Sequence, residues 1–163
     1  MVSQSNRKTM LAAMNYLLLE QTKVHYPPIE NGQIIRQQEL HNIVTLPQLH
    51  NQVNSKHGFI GDCSQTSQVI IQVGLGRRIA SYDVTTEWFL DNLPHYHDPS
   101  AAYIGGPVVY GSDPGHHMSL VHTRGKNPIL ISHGSNPIKL VSLSTEIIWQ
   151  ANRPWTFTSI AGL

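Results

Sequence analysis

Residues 61–74 read GDCSQTSQVIIQVG and hold Cys63, the one cysteine among 163 residues. Asp62 is a residue type that caps helices, and Val69, Ile70 and Val73 recur on one helical face before Gly74. The stretch therefore predicts a helix from Asp62 to Val73 closed by that glycine, with Cys63 in the first turn. A thiol there sits at the positive end of the helix dipole, which favours thiolate over thiol. That is where a nucleophile belongs. The competing reading of a lone cysteine is a small buried hydrophobe. The polar neighbours Asp62, Ser64, Gln65 and Thr66 favour a partly exposed, reactive site.

Upstream, residues 5–22 predict a helix, with Met10, Leu11, Met14, Leu17 and Leu18 at helical spacing, ended by HYPPI at 25–29. The stretch NRKTMLAAMNYLLLEQT mimics a signal peptide, but Asn15 and Glu20 interrupt or close its apolar run and no small-residue cleavage site follows. An amphipathic first helix fits better. QIIRQQELHNIV and LPQLHNQVN, within 33–55, predict one or two shorter helices, the second capped by Thr45 with Pro47 in its first turn. Downstream, DVTTEWFLDNL from 83 predicts a short helix. After Pro99 the runs GGPVVYG, HMSLVH, PILISHG and IKLVSLST, separated by Gly and Pro, predict antiparallel strands. Helices followed by a small antiparallel sheet make the class α+β.

The length suits one domain over 1–163, with a helical part over 1–58 and a core over 59–163 that carries the central helix and the sheet. With 13% charged residues and a net charge of +1, the chain lacks the basic stripe on which nucleic-acid binding depends, so no nucleic-acid partner is expected. No run approaches the ~20 apolar residues of a membrane span. A single cysteine forms no intramolecular disulfide, which points to a chain made in a reducing compartment.

A cysteine nucleophile needs a general base and a third group that orients the base. His117 opens HMSLVH, where alternation puts His117, Ser119 and Val121 on one face and Met118, Leu120 and His122 on the other. His133 ends ILISH on the neighbouring strand, and facing side chains of paired strands come within about 5 Å. The expected constellation is Cys63, His117 and His133, with His116 turned away by parity. Ten histidines raise the question of a metal, for which HYH at 95–97 and HH at 116–117 are the candidates. Without HExxH or a cysteine cluster, no metal and no cofactor are expected.

Three of these pieces, in this order, resemble the NlpC-type papain-like cysteine peptidases that cut bacterial peptidoglycan. DCSQ is similar to the family's Asp-Cys-Ser-Gly box, with Gln65 where the family prefers glycine; VVYGSDPGHHMSLVH is similar to its strand, turn and His-initiated strand; and ILISHGS is similar to its second-histidine strand. The N-terminal third resembles more loosely the segment before the catalytic box in lysins of actinobacterial phages. The resemblance implies a papain-like α+β fold and hydrolysis of a stem-peptide or cross-link amide bond. Cys63 would be the nucleophile, His117 the base and His133 its orienter. Asp62 and Ser64 would hold the stem peptide's free amine, and Tyr26 would assist the oxyanion, the alternative being that Asp62 only caps the helix and Tyr26 only covers the first helix. It also implies peptidoglycan as partner, a monomer, and a phage lysin or virion-associated hydrolase held in the host cytoplasm before reaching the wall. Cleavage between muramic acid and L-alanine, and a catalytically silent wall-binding or virion module, are the other functions such a fold allows.

Overall fold

Capping and turn chemistry set most of the element boundaries in the computed structural model, which describes residues 2–135 and 137–163. In chain order the elements are α1 (Gln4–Leu19), β1 (Val24–His25), β2 (Ile29–Glu30), β3 (Gln33–Ile34), α2 (Leu46–Val53), β4 (Phe59–Ile60), α3 (Cys63–Leu75), α4 (Thr86–Asn92), β5 (His95–Tyr96), β6 (Pro107–Tyr110), β7 (His117–Thr123), β8 (Ile129–Ser132), β9 (Lys139–Ser142), α5 (Leu143–Trp149) and β10 (Trp155–Thr158). The architecture is α+β. Six strands form one antiparallel sheet in the order β5-β10-β6-β7-β8-β9. Among the described residues, no helix is long and apolar enough to cross a membrane.

Alternation along the strands feeds two cores. Val109, Met118, Leu120 and Ile131 join the cluster built by Met10, Met14 and Leu17 of α1 and Val69, Ile70 and Ile71 of α3. Val108, Tyr110, Leu130 and Val141 join a second cluster with Leu143 of α5 and Phe157 of β10. The sheet is therefore covered by α1 and α3 on one face and by α5 on the other. Every residue from Cys63 to Gly74 is buried, so α3 is a central helix rather than one with a single buried face.

Three expectations change. QIIRQQELHNIV is not helical: Asn31 (φ 52°) and Gly32 (φ 75°) form the tight turn of the β2–β3 hairpin, and the polar residues after it run without helix or strand as far as α2. Its amides serve other loops, as where Gln38 Oε1 accepts from Ile60 N–H and its Nε2 donates to Gly58 O. Gly74 does not close α3. That helix ends one residue later, with left-handed Gly76 (φ 71°) as its cap. Gly74 instead lets α1 approach, since a Cβ there would collide with the Met10 side chain and lie 3.0 Å from Asn6 O. Last, IKLVSLST is a strand only as far as Ser142, whose hydroxyl accepts from Thr145 N–H and starts α5.

Candidate active site

Cys63 owes its position to two local devices. Asp62 caps α3 by accepting from Gln65 N–H (2.9 Å), and Gln65 Oε1 accepts in return from Asp62 N–H (3.1 Å), a reciprocal capping box. Gln65 thus does structural work where the resembled family has glycine, and its amide also donates to Gln38 O and Asp83 Oδ2 (2.9 and 2.5 Å). The second device is the parallel pair β1–β4, which sets Val24 opposite Phe59 and His25 opposite Ile60. Tyr26, next in the chain after β1, is thereby brought to the start of α3. Its phenol lies against the backbone and side chain of Cys63. Burial, then the charges of Cys63 and Asp62, push the Tyr26 pKa up, so the phenol stays protonated.

His117 stands at the start of β7 against the Cys63 thiol. Its Nε2 bonds Glu146 Oε1 at 2.8 Å and Ser132 Oγ at 3.0 Å, which leaves Nδ1 as the ring nitrogen free for the thiol. Glu146 is 1% exposed and also accepts from Ser132 Oγ (2.7 Å) and Ser119 Oγ (3.2 Å). Tyr110 stacks on the imidazole with ring centroids 6.0 Å apart at 19°. Burial alone would lower the His117 pKa, but hydrogen bonds to Cys63 and Glu146, and the negative charge of each, push it up to about 10. At neutral pH the imidazole is held as imidazolium, with Glu146 at its far nitrogen.

The group that orients His117 is Glu146, not His133. The expected bond fails by parity: β7 and β8 pair Ser119 with Ser132 and Leu120 with Ile131, so Ser132 shares a face with His117 while His133 turns to the α3 side. There its Nδ1 meets Thr66 Oγ1 at 2.9 Å, and its ring lies edge-on to Tyr26 with centroids 5.5 Å apart. Its Nε2 is buried and has no hydrogen-bond partner among the described residues. Burial lowers the His133 pKa to about 4; Asp62 opposes this, while His117 and His25 add to it, so His133 is neutral. Asp62 and Ser64 differ from expectation too. They are 3% and 4% exposed, and Arg36 Nε donates to Asp62 Oδ2 (2.8 Å), Arg36 Nη2 to Ser64 Oγ (3.2 Å) and Ser64 Oγ to Asp62 Oδ1 (2.8 Å). That leaves little of either surface for a ligand amine. Arg36 was hidden by the helix expected over its segment.

Cys63 itself is 6% exposed, less open than its polar neighbours suggested, because those neighbours are buried with it. Tyr26 and His117 border a groove of about 710 Å³ whose other walls come from Ile29 and Ile34 of the β2–β3 hairpin and from Trp149 and Lys139. His116 lines the same groove, and burial together with the charges of Arg153 and His117 lowers its pKa. Neither HYH at 95–97 nor HH at 116–117 assembles a metal-binding group among the described residues. Among the described residues, the three groups placed closely enough to share an ion are the exposed carboxylates Glu87, Asp91 and Asp113. No protein-family model matches the chain, and no curated protein matches it.

Proposed function

We propose that the chain hydrolyses an amide bond of bacterial peptidoglycan, in the stem peptide or its cross-link, by cysteine acyl transfer. The observation that carries this is a thiol at the first position of a buried helix, set against an imidazole whose far nitrogen is held by a buried carboxylate, beside an open groove. A cysteine nucleophile, its base and the base's orienter are the parts acyl transfer requires. The Cys63 thiolate attacks the scissile carbonyl carbon. The first N–H of a helix has no partner within the helix, so Cys63 N–H, together with the Tyr26 hydroxyl it contacts, supplies donors to the developing oxyanion. The His117 imidazolium protonates the leaving amine, then takes a proton from the water that releases the acyl group, while Glu146 fixes the ring through both steps. The bond class rests on the resemblance of DCSQ, HMSLVH and ILISHGS to the peptidoglycan peptidases, as does a lysin of phage origin.

The test is mass spectrometry of purified sacculi after digestion, because the new amino group names the bond. Stem-peptide or cross-link amines are expected, and they should be absent with Cys63→Ala. An amine on L-alanine next to muramic acid would place the activity with the amidases instead. The 6% exposure of Cys63 favours a second reading, a silent wall-binding module. Resistance of the native thiol to iodoacetamide at neutral pH, together with wall binding and no released amines, would establish it.

A further inference from the structure

We propose that Lys139 selects substrates bearing a free carboxylate beside the scissile bond, an inference that rests on the hydrolase reading and names its substrate class. Lys139 lies directly opposite Ser132 in the β8–β9 ladder. Ser132 Oγ is 3.0 Å from His117 Nε2, so the lysine rises from the sheet one strand away from the residue that braces the base, on the same face. Its Nζ sits 4.6 Å from the centroid of the Trp149 ring, which fixes the flexible stem and holds the ammonium at the groove wall.

Charge bookkeeping shows what the ammonium faces. Glu146, the groove's carboxylate, is 1% exposed and engaged by His117, Ser119 and Ser132. The His117 charge is met by Glu146 at 2.8 Å. His116 is held toward its neutral form. Among the described residues Lys139 forms no salt bridge. The groove thus presents one uncompensated cation among the described residues, between apolar walls made by Ile29 and Ile34 on one side and Trp149 on the other, exposed by 54%, 41% and 56%. That combination suits a short peptide with small apolar side chains and one anionic group. In peptidoglycan the free α-carboxylate of D-iso-glutamate is such a group, and its amidation to D-iso-glutamine removes the charge while keeping the shape.

The experiment compares kcat and KM of the full chain on two synthetic stem peptides that differ only in carboxylate or carboxamide at that position. Wild type is expected to favour the carboxylate about tenfold, mainly through KM, as one charge-assisted contact provides. Lys139→Gln should bring the ratio close to one with kcat little changed, and Lys139→Glu should invert it. Equal use of both peptides by wild type, or an unchanged ratio in Lys139→Gln, overturns the assignment and leaves the hydrolase reading standing. Cleavage of neither peptide by wild type overturns both.

Discussion

Replacing Glu146 with Gln tests the constellation at the point where structure and sequence pattern part. The carboxylate accepts from His117 Nε2 at 2.8 Å and from Ser132 and Ser119 at 2.7 and 3.2 Å, in a site 1% exposed. Gln fills the same volume and still offers an oxygen, so the change isolates the charge. A hydrogen bond involving an ion contributes about 1.5–3 kcal/mol against about 0.5–1.5 kcal/mol for a neutral one. The difference of about 1–2 kcal/mol corresponds to a loss of roughly 5- to 30-fold in kcat if the imidazolium is held mainly through this bond. A second signature is independent of fold stability. The His117 pKa is raised to about 10 partly by Glu146, and in the proposed mechanism the imidazolium protonates the leaving amine, so wild-type activity should fall as pH rises through about 10. Glu146→Gln removes a negative neighbour and should move that alkaline limb toward lower pH. The linked stability has the same sign: a folded pKa above the unfolded value of about 6.5 contributes stability that is complete below 6.5 and lost as pH rises through 10. The assay is release of amino groups from purified sacculi across pH, paired with urea unfolding at each pH. Wild-type kcat and an unmoved alkaline limb in Glu146→Gln, alongside an inactive His133→Asn, would refute the role given to Glu146.

Other tests address the remaining histidine and the helix packing. His133 is neutral with a pKa of about 4, so the unfolded chain binds its proton first, and stability should fall as pH drops from about 6.5 to 4, by up to about 3 kcal/mol. His133→Asn should flatten that acid limb in urea titrations; parallel slopes for the two proteins would show that the imidazole does not stay neutral on folding. Gly74→Ala adds a methyl where the Met10 side chain and Asn6 O already press on α3, and despite alanine's better helix propensity it should lower stability by about 1–3 kcal/mol. A raised Tm would show that α1 can back away at no cost.

Much of this fold was legible wherever a local device decides the outcome. Thr45 caps α2 with Gln48 completing the box, Asp62 caps α3 and places Cys63 at its first residue, and the β-branched runs after Pro99 supply β6 to β9. What failed was decided locally too, but by signals in competition. Asn-Gly at 31–32 is a hairpin signal immediately before a segment whose apolar spacing suggests a helix, and the turn prevailed because both residues take positive φ without strain. In SLSTEIIW the β-branched residues suggest a strand continuing past Ser142. Yet Ser142 as cap, with Leu143, Glu146 and Ile147 at i, i+3 and i+4, marks a helix that faces Glu146 and Leu143 inward, both buried.

Strand register explains why the sequence pattern sets His133 rather than Glu146 against His117, although it brings Cys63 and His117 together. Finding Cys63 needed only a cap, and placing His117 needed only the start of a strand. Pairing His117 with a residue on the next strand needs the sum of the two paired residue numbers, which the connection and any bulge determine. Near the site that sum is 251, as in Ser119 with Ser132 and Leu120 with Ile131. Past the irregularity between Val121 and Thr123 it becomes 252, with Thr123 opposite Ile129. Bringing His133 opposite His117 would require 250, a slip of one residue, and such a slip exchanges the two faces of the strand. In the observed register Ser132 and Glu146 meet His117 in a buried polar pocket, while His133 is sent to Thr66 and Tyr26 on the other side of the sheet. A chain with two histidines at suggestive spacing can therefore send them to opposite faces of the sheet, with the first held as a cation by a carboxylate and the second held neutral by burial.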